Sequence, residues 1–250
     1  RGGDSAPSFD PCGSVLWWFL DGRKTGGHLF PGMAIAEAFV AREKGNEALF
    51  IGTERGIEAR ILAGGKFPLR MIQARPIKGR SFLGKLKALW SLPRAVSEAS
   101  SILKKFQPQV VLGVGGYASG PTLLAAFLLG MRRAIHEQNV IPGMTNRILK
   151  RLSQKIFVSF EETKKYFPEE KTIVTGNPIR KEILKGRERK KRNGFTLLIF
   201  GGSAGAHRIN ASMMEALGAL GPMKSSRKVI HQTGKDDLDL VSRGYQEKGV

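Results

Sequence analysis

Short β-branched or apolar runs alternate with segments of helical periodicity along most of this 250-residue chain, and that alternation restricts the fold more than any other feature. Candidate strands are 15–20, 48–51, 110–114, 134–136, 155–158, 172–174, 196–200 and 228–231. Between the first two lies the clearest helix, 31–44. Pro31 suits its first turn, Ile35/Phe39 and Ala36/Val40 pair at i,i+4, and Gly45 stands where a left-handed cap belongs. Such alternation predicts an α/β protein, a parallel sheet with helices on both faces built from βαβ units. Ligands of such sheets bind beyond the carboxyl ends of the strands.

Three of those ends carry glycine clusters: Thr25-Gly26-Gly27-His28, then 113–120 (GVGGYASG), then Gly201-Gly202-Ser203-Ala204-Gly205, each ahead of a predicted helix. Glycine lets the backbone turn sharply and approach a ligand, while a helix N-terminus offers unpaired N–H groups and a positive dipole end. One such turn has a purely steric explanation. Three in equivalent places point to phosphate or diphosphate ligands. A boundary is expected at Thr175-Gly176-Asn177-Pro178, because 181–192 holds seven basic and two acidic residues. The expected division is a first domain at 13–178, a basic linker at 179–192 and a second domain at 193–250. The second is too short for a complete doubly wound domain.

Composition narrows the compartment and the partners. Lys and Arg number 41 against 21 Asp and Glu, a formal charge of +20, which favours polyanions: nucleic acid, anionic lipid or phosphate-rich ligands. Neither zinc-finger spacing nor an RNA-recognition aromatic motif accompanies the charge. A single cysteine, Cys12, excludes an intramolecular disulfide framework and fits a reducing compartment. The apolar run 121–130 falls short of the roughly 20 residues that span a bilayer, and 15–20 is too short for a secretory signal. A cytoplasmic, non-spanning protein is expected.

Five strings occur in one order: Thr25-Gly26-Gly27-His28-Leu29-Phe30-Pro31-Gly32, Gly113-Val114-Gly115-Gly116-Tyr117-Ala118-Ser119-Gly120-Pro121, His136-Glu137-Gln138-Asn139, Gly176-Asn177-Pro178-Ile179-Arg180 and Gly201-Gly202-Ser203-Ala204-Gly205-Ala206. Together they resemble the MurG family of UDP-N-acetylglucosamine-dependent transferases of bacterial wall synthesis, from about Thr25 to the C-terminus. The resemblance implies two Rossmann-like domains of the GT-B glycosyltransferase type, the second incomplete, with an active site between them. It implies inverting transfer of N-acetylglucosamine from UDP-GlcNAc to the muramic acid 4-hydroxyl of lipid I, giving lipid II. Neither cofactor nor metal is expected, since backbone N–H groups and a helix dipole can stabilise departing UDP.

Carried over by position, the substrate-binding residues are Thr25, Gly26, Gly27, Gly115, Gly116, Tyr117, Asn139, Arg180 and Ser203. Arg180 is a permanently charged fork suited to a phosphate or sugar oxygen. Ser203 sits in a glycine turn at a helix start, and the amide of Asn139 can donate to and accept from a sugar. For the catalytic base, His28 has a pKa range suited to neutral pH. Its alternative role is to orient the donor or a phosphate. Glu137 is the other candidate base, or else holds the loop after its strand. His231 reads as a residue that caps or packs at the end of its strand.

The segment 75–105 holds eight cations against the single acid Glu98, interleaved with large apolar residues. Phe82, Leu86, Trp90, Lys85 and Lys87 therefore form a candidate membrane contact, apolar groups entering the acyl boundary while cations meet anionic headgroups. The resemblance places the protein peripherally on the cytoplasmic face of the inner membrane, with UDP-GlcNAc, lipid I and an anionic surface as partners and no nucleic acid. It breaks in two places. Arg23 and Lys24 stand where relatives usually have two glycines, after an atypical 1–20, which suggests an altered reading frame or start. The chain also stops before the family's later donor-gripping segment, so this polypeptide alone is expected to be weakly active or inactive. Rival readings are another UDP-sugar glycolipid transferase, for example one acting on diacylglycerol, a basic nucleic-acid-binding protein, and a nicotinamide-dependent oxidoreductase. The last lacks an intact G-x-G-x-x-G with a downstream acid.

Overall fold

The computed structural model describes residues 29–53, 67–74, 90–181, 183, 195–202, 205–219 and 227–248, and residues 15–19 as backbone. The chain divides into two compact units, Arg1–Leu184 and Lys185–Val250. That division falls within the basic stretch 179–192.

In the first unit the strands are β1 (Val15–Phe19), β2 (Glu47–Gly52), β3 (Leu69–Met71), β4 (Val110–Gly113), β5 (Arg132–Glu137), β6 (Lys155–Val158) and β7 (Thr172–Val174). The described helices are α1 (Leu29–Val40), α2 (Leu92–Phe106), α3 (Ser119–Leu128) and α4 (Met144–Leu149). All seven strands are parallel, in the order β3-β2-β1-β4-β5-β6-β7. The order reverses between β1 and β4, the switch point where such sheets open a crevice at their carboxyl edge.

Strands β2, β4 and β5 are buried on both faces, as the apolar inner strands of a parallel sheet must be. Along β2, Leu49 and Ile51 join a core with Ala99 and Leu103 of α2 and Leu123 and Ala126 of α3. Ala48 and Phe50 point the other way, into a core with Leu29 and Ala36 of α1. Ala95, Ala99 and Leu103 recur every four residues on α2 and are all buried, the apolar stripe by which that helix packs on the sheet. Gln107 ends α2 in the left-handed region at φ 56°, its N–H returning to the Leu103 carbonyl. Glu98, the lone acid of 75–105, accepts from the Gln73 N–H at 2.7 Å and from Arg94 Nε at 3.0 Å, tying α2 to the chain after β3.

Two local expectations differ from the structure. Strand β3 was not legible: three residues beginning just after Pro68 are too few to show a period, and it holds its place by pairing Phe50 with Leu69. Helix α1 starts at Leu29 and ends at Val40, shorter at its C-terminus than 31–44, and Gly45, at φ +105°, closes the turn beyond it.

The second unit pairs β8 (Phe195–Phe200) with β9 (Arg227–Gln232) in parallel, together with α5 (His207–Ala216) and α6 (Leu238–Glu247). Ile199, Leu217 and Val241 are buried. On the opposite face of the strands, Leu198 lies beside Ile230, and these and Phe200 are 57%, 42% and 62% exposed. One face of this small sheet is therefore covered by helices, while the other is apolar and open among the described residues.

Candidate functional site

At the carboxyl edge of the first sheet, the turn after β4 shows why its glycines are needed, and the reasons differ. A Cβ on Gly113 would lie 2.3 Å from Leu123 Cδ1, so this glycine lets α3 pack onto β4. Gly115 and Gly116 have φ of +97° and +93°, the left-handed region open at little cost to glycine alone. That double reversal aims the chain into α3, whose first turn has no side-chain cap. Ser119 Oγ turns back to donate to the Gly115 carbonyl at 2.6 Å and fixes the turn, and Tyr117 is half-buried within it.

After β5 the polar side chains lock a loop. Glu137 is fully buried, and its carboxylate accepts four hydrogen bonds. Asn139 donates to Oε1 from its backbone N–H at 3.0 Å and from Nδ2 at 2.9 Å. Gly143 N–H and Asn146 Nδ2 donate to Oε2 at 3.1 and 2.9 Å. Both oxygens are occupied and none faces solvent, so Glu137 holds the loop and offers no lone pair to an acceptor hydroxyl. Asn139 is exposed, with its amide nitrogen committed to Glu137. Its backbone carbonyl accepts from Thr163 Oγ1 at 3.2 Å.

His136 links this loop to the next. Gln138 Nε2 lies 2.9 Å from His136 Nδ1, which makes Nδ1 the acceptor and leaves Nε2–H to donate to the Gly176 carbonyl at 3.3 Å. From Gly176, at φ +76°, the chain runs to Arg180. The Arg180 guanidinium carbon sits 4.4 Å from the centroid of the Phe30 ring in the first turn of α1. Arg180 Nε is buried, with no hydrogen-bond partner among the described residues.

The second unit has its own polar apparatus at the carboxyl ends of β8 and β9. A Cβ on Gly205 would fall 1.9 Å from the Thr233 carbonyl oxygen, so the turn after β8 and the turn after β9 touch backbone to backbone. Asn210, fully buried on α5, braces both: Nδ2 donates to the Thr233 carbonyl at 2.8 Å and to Asp237 Oδ2 at 2.7 Å. Its Oδ1 then accepts from His231 Nε2–H at 3.1 Å, and His231 Nδ1 accepts from the Tyr245 hydroxyl at 3.1 Å. Burial holds the His231 pKa below the ordinary imidazole value. The donors Asn210 and His207 hold the Asp237 carboxyl below the ordinary aspartate value. His231 is thus a packing and bridging residue of its strand.

Of the expected site residues, Thr25, Gly26, Gly27, His28 and Ser203 lie outside the described residues, as do Phe82, Lys85, Leu86 and Lys87. Trp90, just before α2, is 80% exposed. Gly115, Gly116, Tyr117, Asn139 and Arg180 lie in the chain beyond strands of the first sheet, and Glu137 is the last residue of β5. Sequence reasoning missed Asn146, Asn210 and Asp237, and it quoted Gln138 and Phe30 within its strings without giving them a role. Buried asparagines carry no periodic signature, and only their short distance from a strand end hinted at them. No described helix is long and apolar enough to cross a membrane, and no group of three metal-ligating side chains occurs among the described residues.

Fold and site together define a doubly wound α/β protein whose polar turns gather at strand ends, the architecture of enzymes that handle nucleotide-borne groups. Residues 23–158 match the family model for the glycosyltransferase family 28 N-terminal domain, and the chain belongs to that family. It is 53% identical over 232 residues to the UDP-N-acetylglucosamine–N-acetylmuramyl-(pentapeptide) pyrophosphoryl-undecaprenol N-acetylglucosamine transferase of Geotalea daltonii, covering 91% of this chain and 63% of that protein. To the Geobacter sulfurreducens protein of the same name it is 51% identical, covering 92% and 65%. The chain thus spans less than two thirds of the length of these relatives. Among solved structures, Acinetobacter baumannii MurG superposes with a TM-score of 0.69 at 27% identity, covering 95% of this chain and 64% of that one. The UDP-GlcNAc 2-epimerase of Neisseria meningitidis, at 18% identity and a TM-score of 0.58, shares the fold.

Proposed function

We propose that this chain is the larger part of an inverting glycosyltransferase that moves N-acetylglucosamine from UDP-GlcNAc to the muramic acid 4-hydroxyl of lipid I, giving lipid II. Identity above 50% to two relatives named for that transfer is the observation that carries the reading. The glycine turns at the strand ends supply the matching chemistry. In the reaction the 4-hydroxyl oxygen bonds to the anomeric carbon from the face opposite the diphosphate. The bond from that carbon to the diphosphate oxygen breaks, and UDP departs with the electron pair. His28 takes the hydroxyl proton. It inherits that role because Glu137 is engaged by four donors. Thr25, Gly26, Gly27 and Ser203 line the donor, while Gly115, Gly116 and Tyr117 present backbone N–H groups at the start of α3. Arg180 meets a phosphate or sugar oxygen, and Asn139 offers its carboxamide oxygen.

In the same reading, Phe82, Leu86 and Trp90, with Lys85 and Lys87, rest on the anionic cytoplasmic membrane surface where the lipid-linked acceptor resides. Exposure of Trp90 supports this part. The test grafts residues 25–248 onto the Geotalea daltonii relative in place of its matching segment and supplies lipid I or diacylglycerol with UDP-GlcNAc. Disaccharide product from lipid I alone, abolished by His28→Ala, is the expected outcome. Product from diacylglycerol alone, or none from a folded graft, would overturn the reading.

A further inference from the structure

Resting on that reading, we infer that Phe30 is a positioning residue for the substrate diphosphate: its ring holds the Arg180 guanidinium ready for an anion. Arg180 carries a permanent charge in a half-buried setting, yet among the described residues no carboxylate pairs with it and its Nε has no acceptor. A buried N–H donor of a cation left without an acceptor is costly, and an anionic ligand would supply the acceptor. The ring compensates in part. With the guanidinium carbon 4.4 Å from its centroid, Phe30 offers the negative face of its π-system, an attraction that leaves the N–H donors uncommitted. A carboxylate in the same place would use those donors and repel a phosphate.

The placement of both partners is also fixed. Phe30 lies in the first turn of α1, between the buried Leu29 and Pro31. Arg180 is reached by a segment pinned at Gly176 by His136, and the Ile183 N–H closes onto the Arg180 carbonyl at 3.1 Å. An aromatic residue from one helix thereby sets the direction of a cation carried on another segment. Leucine at position 30 keeps the apolar volume and loses the quadrupole, whereas tyrosine keeps both.

Arginine Nε–H signals of the isotope-labelled chain provide the readout, with Arg180→Lys assigning the Arg180 signal and inorganic pyrophosphate as the probe at constant ionic strength. In the unsubstituted chain the Arg180 signal is expected to be displaced by the Phe30 ring current and to shift saturably with pyrophosphate. Phe30→Leu should remove the displacement and weaken pyrophosphate binding about tenfold, and Phe30→Tyr should restore both. If Phe30→Leu binds pyrophosphate as well as the unsubstituted chain, the positioning role is overturned while the phosphate reading stands. If the unsubstituted chain shows no Arg180 response at all, both are overturned.

Discussion

Single residues at the sheet edge divide into those that shape the backbone and those that hold a charge, and the division has measurable consequences. Gly113 and Gly120 belong to one string, yet a Cβ meets Leu123 at 2.3 Å in the first case and nothing within 4 Å in the second. Gly113→Ala is therefore expected to destabilise the first unit by about 1–3 kcal/mol through overpacking. Gly120→Ala should stabilise it by about 0.5–1 kcal/mol by restricting the unfolded chain within a helical position. Chemical denaturation midpoints of the two variants check the opposite signs. Glu137 accepts four hydrogen bonds, so Glu137→Gln turns an NH2 group towards two donors and should cost about 2–4 kcal/mol by the same measurement. The motif strings pointed to these residues. Their roles were not legible, because a glycine needed for helix packing and one needed for a positive φ look the same in a sequence.

At the scale of elements, β9, α5 and α6 are joined by the chain Tyr245–His231–Asn210–Asp237–His207, and its titration sets a pH dependence for the second unit. His231 has a folded pKa below its unfolded value of about 6.5, so the stability it lends is complete above that pH and declines as pH falls below it. Asp237 is also depressed, so its contribution is present above the unfolded aspartate value and is lost at more acid pH as its folded pKa is passed. Both act in the same direction. Melting of the second unit, followed through Tyr245, should shift to lower temperature from about pH 6 downward, and His231→Gln should remove the upper part of that slope. Eight predicted strands correspond to described ones because each is an apolar run bounded by turn residues. Strand β3 and the network escaped because neither is periodic: one is three residues long, and the other is assembled from residues up to 38 positions apart (207 to 245).

For the molecule as a whole, a sheet order that reverses between β1 and β4 puts the turn after β4 beside the crevice where such sheets take their ligands. Charge adds a second bias, since +20 over 250 residues draws diphosphates and anionic surfaces alike. Charge alone left nucleic acid open as a partner; the ordered glycine strings and the family match give the diphosphate its priority. The central claim is that the glycine turns bind the diphosphate of the sugar nucleotide, and backbone amide NMR of the labelled chain under titration with UDP tests it most directly. Saturable shifts concentrated on the amides of Gly115, Gly116 and the first turn of α3, with weaker effects elsewhere, are predicted. Saturable shifts that spare those amides, or no shifts at millimolar UDP, would contradict it.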